Sequence, residues 1–324
     1  MIKLDLSKCK GFATHRSGWS YCISSLMPLH SRSGIFVDDF IERSFSWDLD
    51  KYYLGSNPHK IPYEKGWIGF FHNPPNVPEW FDMYNSPMAI LDRDVFKRSL
   101  KTCKAIITLS EYLKDWLSDK ISVPIISVKH PTETPKVKWS LEKFQKQKQI
   151  PIVQLGYWLR DFFAIHNLRT GPKYSKIWLP SHLETAMTIM KTKEKTQKKF
   201  WEEKYLWSGV TINDFLSNHD YDDLMSRCVV FLKLYDSSAN NAIVECIARS
   251  TPVLVNKIPA VVEYLGEGYP FYFDNIEDAI HKLADDNLII SAHKYLKILG
   301  KQWLSGKYFA KYLEKKLSEV ISVK

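Results

Sequence analysis

Phe231 to Gly266, FLKLYDSSANNAIVECIARSTPVLVNKIPAVVEYLG, decides how this chain folds, because strand, loop, helix, strand and loop follow one another in it without interruption. Cys228 to Leu234 is a short apolar run with β-branched and aromatic residues, as a buried parallel strand requires, and Asp236-Ser237-Ser238 ends it with turn chemistry. Ala242, Ile243, Val244, Cys246, Ile247 and Ala248 form a helix too apolar for a surface position, so it packs on a sheet with Glu245 as the carboxylate inside it. Pro252 stops that helix, Val253 to Val255 reads as the next buried strand, and Asn256 to Ala260 leads to Glu263. In an open parallel sheet, ligands bind beyond the carboxyl ends of the strands, where loops and helix N-termini offer N–H groups to anions. Ser237 to Asn241 occupies such a place.

Upstream, Ile152 to Leu155 is a strand followed by the turn Gly156-Tyr157-Trp158-Leu159-Arg160-Asp161, and Tyr174 to Leu179 is another strand. Arg160 lies in that turn beyond a strand's carboxyl end, and its planar fork suits the paired oxygens of an anion; Lys233 or Lys257 is available for a second positive charge. A short helix lies between Tyr221 and Met225, with Asp222-Asp223 expected to cap it.

The first half repeats the alternation. Met1 to Leu6 is a strand, and His15-Arg16-Ser17-Gly18 is a polar turn before a helix from Trp19 to Leu29. Gly34 to Phe40 and Trp67 to Phe71 are strands, the latter ending at His72-Asn73-Pro74-Pro75. Lys104 to Ser110 is a strand, Glu111 to Ser118 a helix capped by Ser110, and Val123 to Val128 a strand ending at Lys129-His130-Pro131. Residues 136 to 149, rich in Lys, Glu and Gln, read as a linker between two domains, 1–135 and 150–304. Helices follow over Ile276 to Leu283 and Ser291 to Leu304, and the last helix, in 305–324, is amphipathic. Trp47-Asp48-Leu49-Asp50 contains an Asp-x-Asp triplet, but in a connecting segment and not at a strand end beside a ligand, so no metal site is assigned to it.

The chain has 324 residues, 45% of them hydrophobic and 25% charged, enough for two ordinary cores and incompatible with disorder. Its net charge of +9 favours an anionic partner: a nucleotide, a phospholipid surface or nucleic acid. Lys191 to Lys204 mixes both signs, the mark of a solvated face, and the aromatics of Lys198 to Trp207 come with no nucleic-acid motif, so nucleic acid is not expected. Five cysteines without metal-ligand spacing read as reduced, buried thiols, and no apolar run reaches the roughly 18 residues of a membrane span. A cytoplasmic location is expected, with peripheral contact to anionic lipid left open for the Lys-rich face of the last helix.

Val244 to Val255, VECIARSTPVLV, resembles the helix motif of the donor site in GT-B glycosyltransferases, family 4-like, and Gly156 to Arg160 is similar to their Gly-to-Arg turn. The resemblance implies an α/β fold of two doubly wound, Rossmann-like parallel-sheet domains facing across a cleft. It implies transfer of a sugar from a nucleotide-diphosphate sugar, UDP- or GDP-linked, to a hydroxyl of a glycan or lipid-linked glycan, with no cofactor and no metal. Gly18, Arg160, Lys233, Ser237, Ser238, Asn240, Asn241 and Glu245 would bind the donor, Glu245 through the ribose hydroxyls, and His72 and Asp236 are the candidate catalytic groups. The family's first glutamate is absent, Ser237 standing in its place. A catalytically silent GT-B domain, or a different nucleotide-sugar enzyme such as an epimerase, remains open as the alternative.

Overall fold

The computed structural model describes residues 2–11, 18–54, 60–197 and 209–321. His15, Arg16 and Ser17, and the stretch from Lys198 to Trp207, lie outside them. The chain divides into two compact units: one of Met1–Val77, Asp82–Glu133 and Gln302–Lys324, the other of Pro78–Phe81 and Thr134–Lys301.

The first unit is built on β1 (Leu4–Asp5), β2 (Ile35–Asp38), β3 (Trp67–Phe71), β4 (Cys103–Thr108) and β5 (Ile125–Ser127), all parallel and side by side in chain order. Every residue of β3 is buried, as an unbroken apolar run demands of a strand covered on both faces. Phe45, Tyr63 and Phe96 pack against its Trp67 and Phe71 with several edge-to-face contacts, and the Trp67 indole donates to the Ser99 carbonyl at 2.8 Å, so the core's largest ring is also satisfied. The Glu111–Ser118 helix starts where Ser110 Oγ accepts the Leu113 N–H. The Gly306–Ile321 helix buries Phe309, Leu313 and Leu317 on one stripe. It approaches the Trp19–Leu26 helix closely enough that a Cβ on Gly306 would collide with Ser25 Oγ.

The second unit holds β6 (Ile150–Leu155), β7 (Tyr174–Leu179), β8 (Val210–Ile212), β9 (Val229–Leu232), β10 (Val253–Asn256) and β11 (Tyr272–Phe273), again all parallel. Their order is β11-β10-β9-β6-β7-β8. The winding therefore reverses between β6 and β9, and the loops leaving the carboxyl ends of those two strands lie at the switch point where open parallel sheets bind ligands.

Three sequence-based readings are corrected here. The Asn241–Arg249 helix ends before Pro252, at Ser250, whose left-handed φ of 57° lets Thr251 N–H reach the Cys246 carbonyl at 2.9 Å. Asp222 and Asp223 do not cap the Asn218–Met225 helix; Ser217 does, while Asp223 pairs with Arg227 and Lys143. The stretch read as a linker carries a helix, Leu141–Lys146, and anchors itself by the buried Trp139, whose indole donates to the Cys228 carbonyl at 2.9 Å.

Asp222 instead meets Arg249, whose side chain is 3% exposed, at 2.8 Å; Arg249 also donates to the Val137 carbonyl at 2.9 Å. Removing one member of a buried ion pair leaves the other charged and desolvated, which costs about 3 to 5 kcal/mol. Arg249→Met is thus expected to lose that much in urea unfolding; a variant within about 0.5 kcal/mol of the parent would show that the pair is well solvated.

Candidate functional site

The loop after β6 is shaped around Arg160. Gly156 adopts φ +74° and lies so close that a Cβ would stand 3.2 Å from Arg160 Cζ, so both backbone and space call for glycine. Leu159, with φ +53°, is held in a conformation that costs an aliphatic residue roughly 1 to 2 kcal/mol, and its side chain is buried. Backbone hydrogen bonds join this loop to the one after β9: Tyr235 N–H to the Leu159 carbonyl at 3.0 Å and Asp161 N–H to the Lys233 carbonyl at 2.8 Å. Arg160 and Leu234 thus form an antiparallel bridge across the point where the sheet reverses.

The Arg160 guanidinium donates from Nε to the Leu155 carbonyl (2.8 Å), from Nη1 to the Trp158 carbonyl (2.5 Å) and from Nη2 to Asn240 Oδ1 (3.2 Å). All three acceptors are neutral. Burial lowers its pKa to about 10, so it keeps its proton at neutral pH, and no carboxylate pairs with it among the described residues. Asn240 is the N-cap of the Asn241–Arg249 helix, and the same Oδ1 also accepts the N–H groups of Ala242 (3.1 Å) and Ile243 (3.4 Å). One neutral oxygen therefore faces a cation and two helix-terminal donors.

The other expected donor residues have distinct fates. Ser237 and Ser238 are buried in the loop after β9, and Asp236 accepts the Ser237 N–H at 2.8 Å; Asn241 opens the helix, exposed. Lys233 was expected to add a free positive charge, but its ammonium is engaged by the buried Asp161 carboxylate at 3.1 Å. Lys257 pairs with Glu267. Glu245 has a structural reason to be in its apolar helix that the sequence did not disclose: Tyr221 O–H donates to its Oε2 at 2.5 Å. Burial, then the Glu245 charge, pushes the Tyr221 phenol well up, so it remains a donor.

In the first unit, His72 follows β3 and is stacked on Phe40 (ring centroids 3.7 Å, planes 4° apart) with Trp19 edge-on at 4.3 Å. Its Nε2 is 2.9 Å from the Asp39 carbonyl oxygen, which makes that nitrogen the N–H donor and leaves Nδ1 as the acceptor. Burial pushes its pKa down to about 3, so the ring is neutral at physiological pH. Gly18 stands directly before Trp19, whose indole donates to Asp39 Oδ2 at 2.9 Å. Glu42, fully buried, grips the turn by accepting the N–H groups of His72 (2.8 Å) and Asn73 (2.7 Å) on one oxygen, while the other has no hydrogen-bond partner among the described residues. Burial raises Asp38 to about 6 and both Asp39 and Glu42 to about 7. These acids went unread; the signal was an acidic pair placed directly after an apolar strand. Asp48, of the Asp-x-Asp triplet, pairs with Lys51 at 2.5 Å in a surface turn.

No family model matches the chain, and no curated protein matches it in sequence. Solved structures do match in shape. HepE of Anabaena in complex with UDP-glucose superposes with a TM-score of 0.57 at 11% identity, over 78% of this chain and 72% of that one. Trehalose-6-phosphate synthase OtsA gives 0.55 at 11%, over 94% and 77%. TarM of S. aureus in complex with fondaparinux, α-GlcNAc-glycerol and UDP gives 0.60 at 11%, over 94% of this chain and 58% of that one. With both sheets parallel and the second reversing at β6 and β9, the chain has the GT-B glycosyltransferase fold.

The raised pKa of Glu42 makes a measurable pH dependence. Its folded value of about 7 lies above the ordinary 4.5, so the folded state holds a proton that the unfolded chain releases, and the parent loses stability as pH rises through that window. Glu42→Gln keeps an acceptor for both N–H groups and cannot ionise. Its stability relative to the parent is expected to rise by on the order of 1 to 3 kcal/mol between pH 4.5 and pH 8 in denaturant titrations. A pH-independent difference would mean that Glu42 is ionised at no energetic cost.

Proposed function

We propose that this protein is a glycosyltransferase that moves a sugar from a UDP- or GDP-linked donor to a hydroxyl of a glycan or lipid-linked glycan, in the cytoplasm. The observation that carries the reading is the convergence on Asn240 Oδ1 of the Arg160 guanidinium and the Ala242 and Ile243 N–H groups. A diphosphate oxygen entering there exchanges a neutral acceptor for a charged one, against a cation with no carboxylate of its own. HepE and TarM, which share the fold, were solved with UDP-glucose and UDP.

In the reaction, the bond from the sugar's anomeric carbon to the diphosphate breaks and the acceptor oxygen bonds to that carbon. Arg160 and the helix N-terminus hold the negative charge that grows on the departing diphosphate. In this reading Glu245, whose Oε2 accepts from Tyr221, takes the ribose hydroxyls. The acceptor's proton needs a base. His72, neutral with its pKa pushed down to about 3, is a weak one, which favours the retaining route, where a phosphate oxygen of the donor takes the proton. His72 Nδ1 then orients a hydroxyl, and Asp236 orders the loop after β9.

Calorimetry with UDP, GDP, ADP and CMP sugars tests the reading, and saturable binding of none of them would reject it. Glu245→Ala is expected to weaken nucleotide binding by about 1.5 to 3 kcal/mol, the value of hydrogen bonds to a charged group. Arg160→Ala should cut kcat/KM by about a hundredfold or more, with Lys rescuing only part, and turnover should survive EDTA. Unchanged kinetics in Arg160→Ala, or activity lost in EDTA and restored by Mg²⁺, would move the diphosphate elsewhere. The silent-domain reading draws support from Ser237 at the place of a glutamate, and nucleotide binding without donor turnover or hydrolysis would select it.

A further inference from the structure

Phe81 comes from the first half of the chain yet belongs to the second unit, in the four-residue segment Pro78–Phe81. Its ring is only 5% exposed. It meets Trp158 edge-on at 5.1 Å, lies nearly parallel to Phe162 at 5.9 Å and reaches Tyr235 at 6.4 Å; Trp80 beside it adds an edge contact to Tyr235 at 5.3 Å. Trp158 and Phe162 flank Arg160 in the loop after β6, and Tyr235 lies in the loop after β9. The ring therefore fills the space between the two loops that the sheet's reversal separates.

That position bears directly on the guanidinium. The Trp158 carbonyl is the acceptor for Arg160 Nη1, and the Leu159 carbonyl, on a residue held at φ +53°, accepts the Tyr235 N–H. A left-handed leucine persists only where surrounding packing over-determines it. Phe81 packs on Trp158, the neighbour of Leu159, and on Tyr235, whose N–H the Leu159 carbonyl accepts, and no other residue of its segment is as deeply buried.

Building on the donor-site reading, we propose that Phe81 is a positioning residue for nucleotide-diphosphate binding: it wedges the loops after β6 and β9 so that Arg160 is aimed at the diphosphate. It acts through Arg160 and touches neither sugar nor phosphate. Without the ring, the Trp158–Leu159 backbone relaxes from its strained form and the guanidinium loses its fixed direction, a displacement of a kind that costs binding groups up to about a hundredfold.

The test is a double-mutant cycle read by calorimetry with UDP as the probe, on the full chain, using Phe81→Ala, Arg160→Lys and the two combined. Phe81→Ala is expected to raise the UDP dissociation constant about tenfold or more, and the combined variant to bind within about twofold of Arg160→Lys alone, because a guanidinium no longer present cannot be misdirected. Ile289→Ala, which opens a cavity in the distant Asp286–Ile298 helix of the same unit, controls for general loosening and should leave UDP affinity at the parent's value. If Phe81→Ala does not fold, Phe81→Leu, which keeps most of the volume but not the flat contacts, carries the same cycle with a smaller loss. Multiplying losses in the combined variant, parental affinity in the Phe81 variant, or an equal loss in Ile289→Ala would each overturn the proposal. A parent that binds no UDP at all would instead reject the donor site itself, so the two failures are distinguishable.

Discussion

The second unit depends on one electrostatic arrangement, a guanidinium that is partly buried, protonated and held only by neutral acceptors. Such a group is expensive to keep unless its hydrogen bonds are good and an anion is due to arrive. Arg160 meets the first condition through two carbonyls of its own loop and one side-chain amide. The tight turn at Gly156, the left-handed Leu159 and the bridge to Leu234 shape the loop that carries two of those acceptors, and Phe81 packs on its Trp158. The strand reversal between β6 and β9 supplies the space.

The first unit solves the opposite problem. Around His72 it gathers three carboxyls, of which burial raises two to about 7, so the region carries less negative charge at neutral pH than its residue types suggest. Glu42 fixes the turn through two backbone N–H groups, and the Asp39 carbonyl selects the His72 tautomer. Two aromatic rings then cover part of the imidazole, and the burial of this partly exposed ring keeps it neutral. The His72 ring is thereby a weak proton acceptor at neutral pH.

Much of this was legible in the residues. Trp67 to Phe71 and Tyr174 to Leu179 are strands over the bounds read from their apolar runs, and the Glu111–Ser118 helix starts at Ser110 as its side chain foretold. Local chemistry failed where two acids compete for different partners. Asp222 and Asp223 have the composition of a cap, but Arg249, 27 positions away, and Arg227 claim them. Lys233 reads as a free cation until Asp161, on another loop, is placed against it, and the Tyr221 hydroxyl on Glu245 is equally illegible in the sequence.

By itself the sequence determined the alternation of buried strand and helix, the parallel sheets that follow from it, and the position of the loops around Arg160 and Asn240, because burial and turn chemistry act over a few neighbouring residues. Only the tertiary structure decided which charges remain unbalanced, which histidine tautomer is present, and that Phe81 serves the second unit. Those properties depend on distances between residues far apart in the chain, and a pKa or a strained backbone is set by everything packed around it, whatever its place in the sequence.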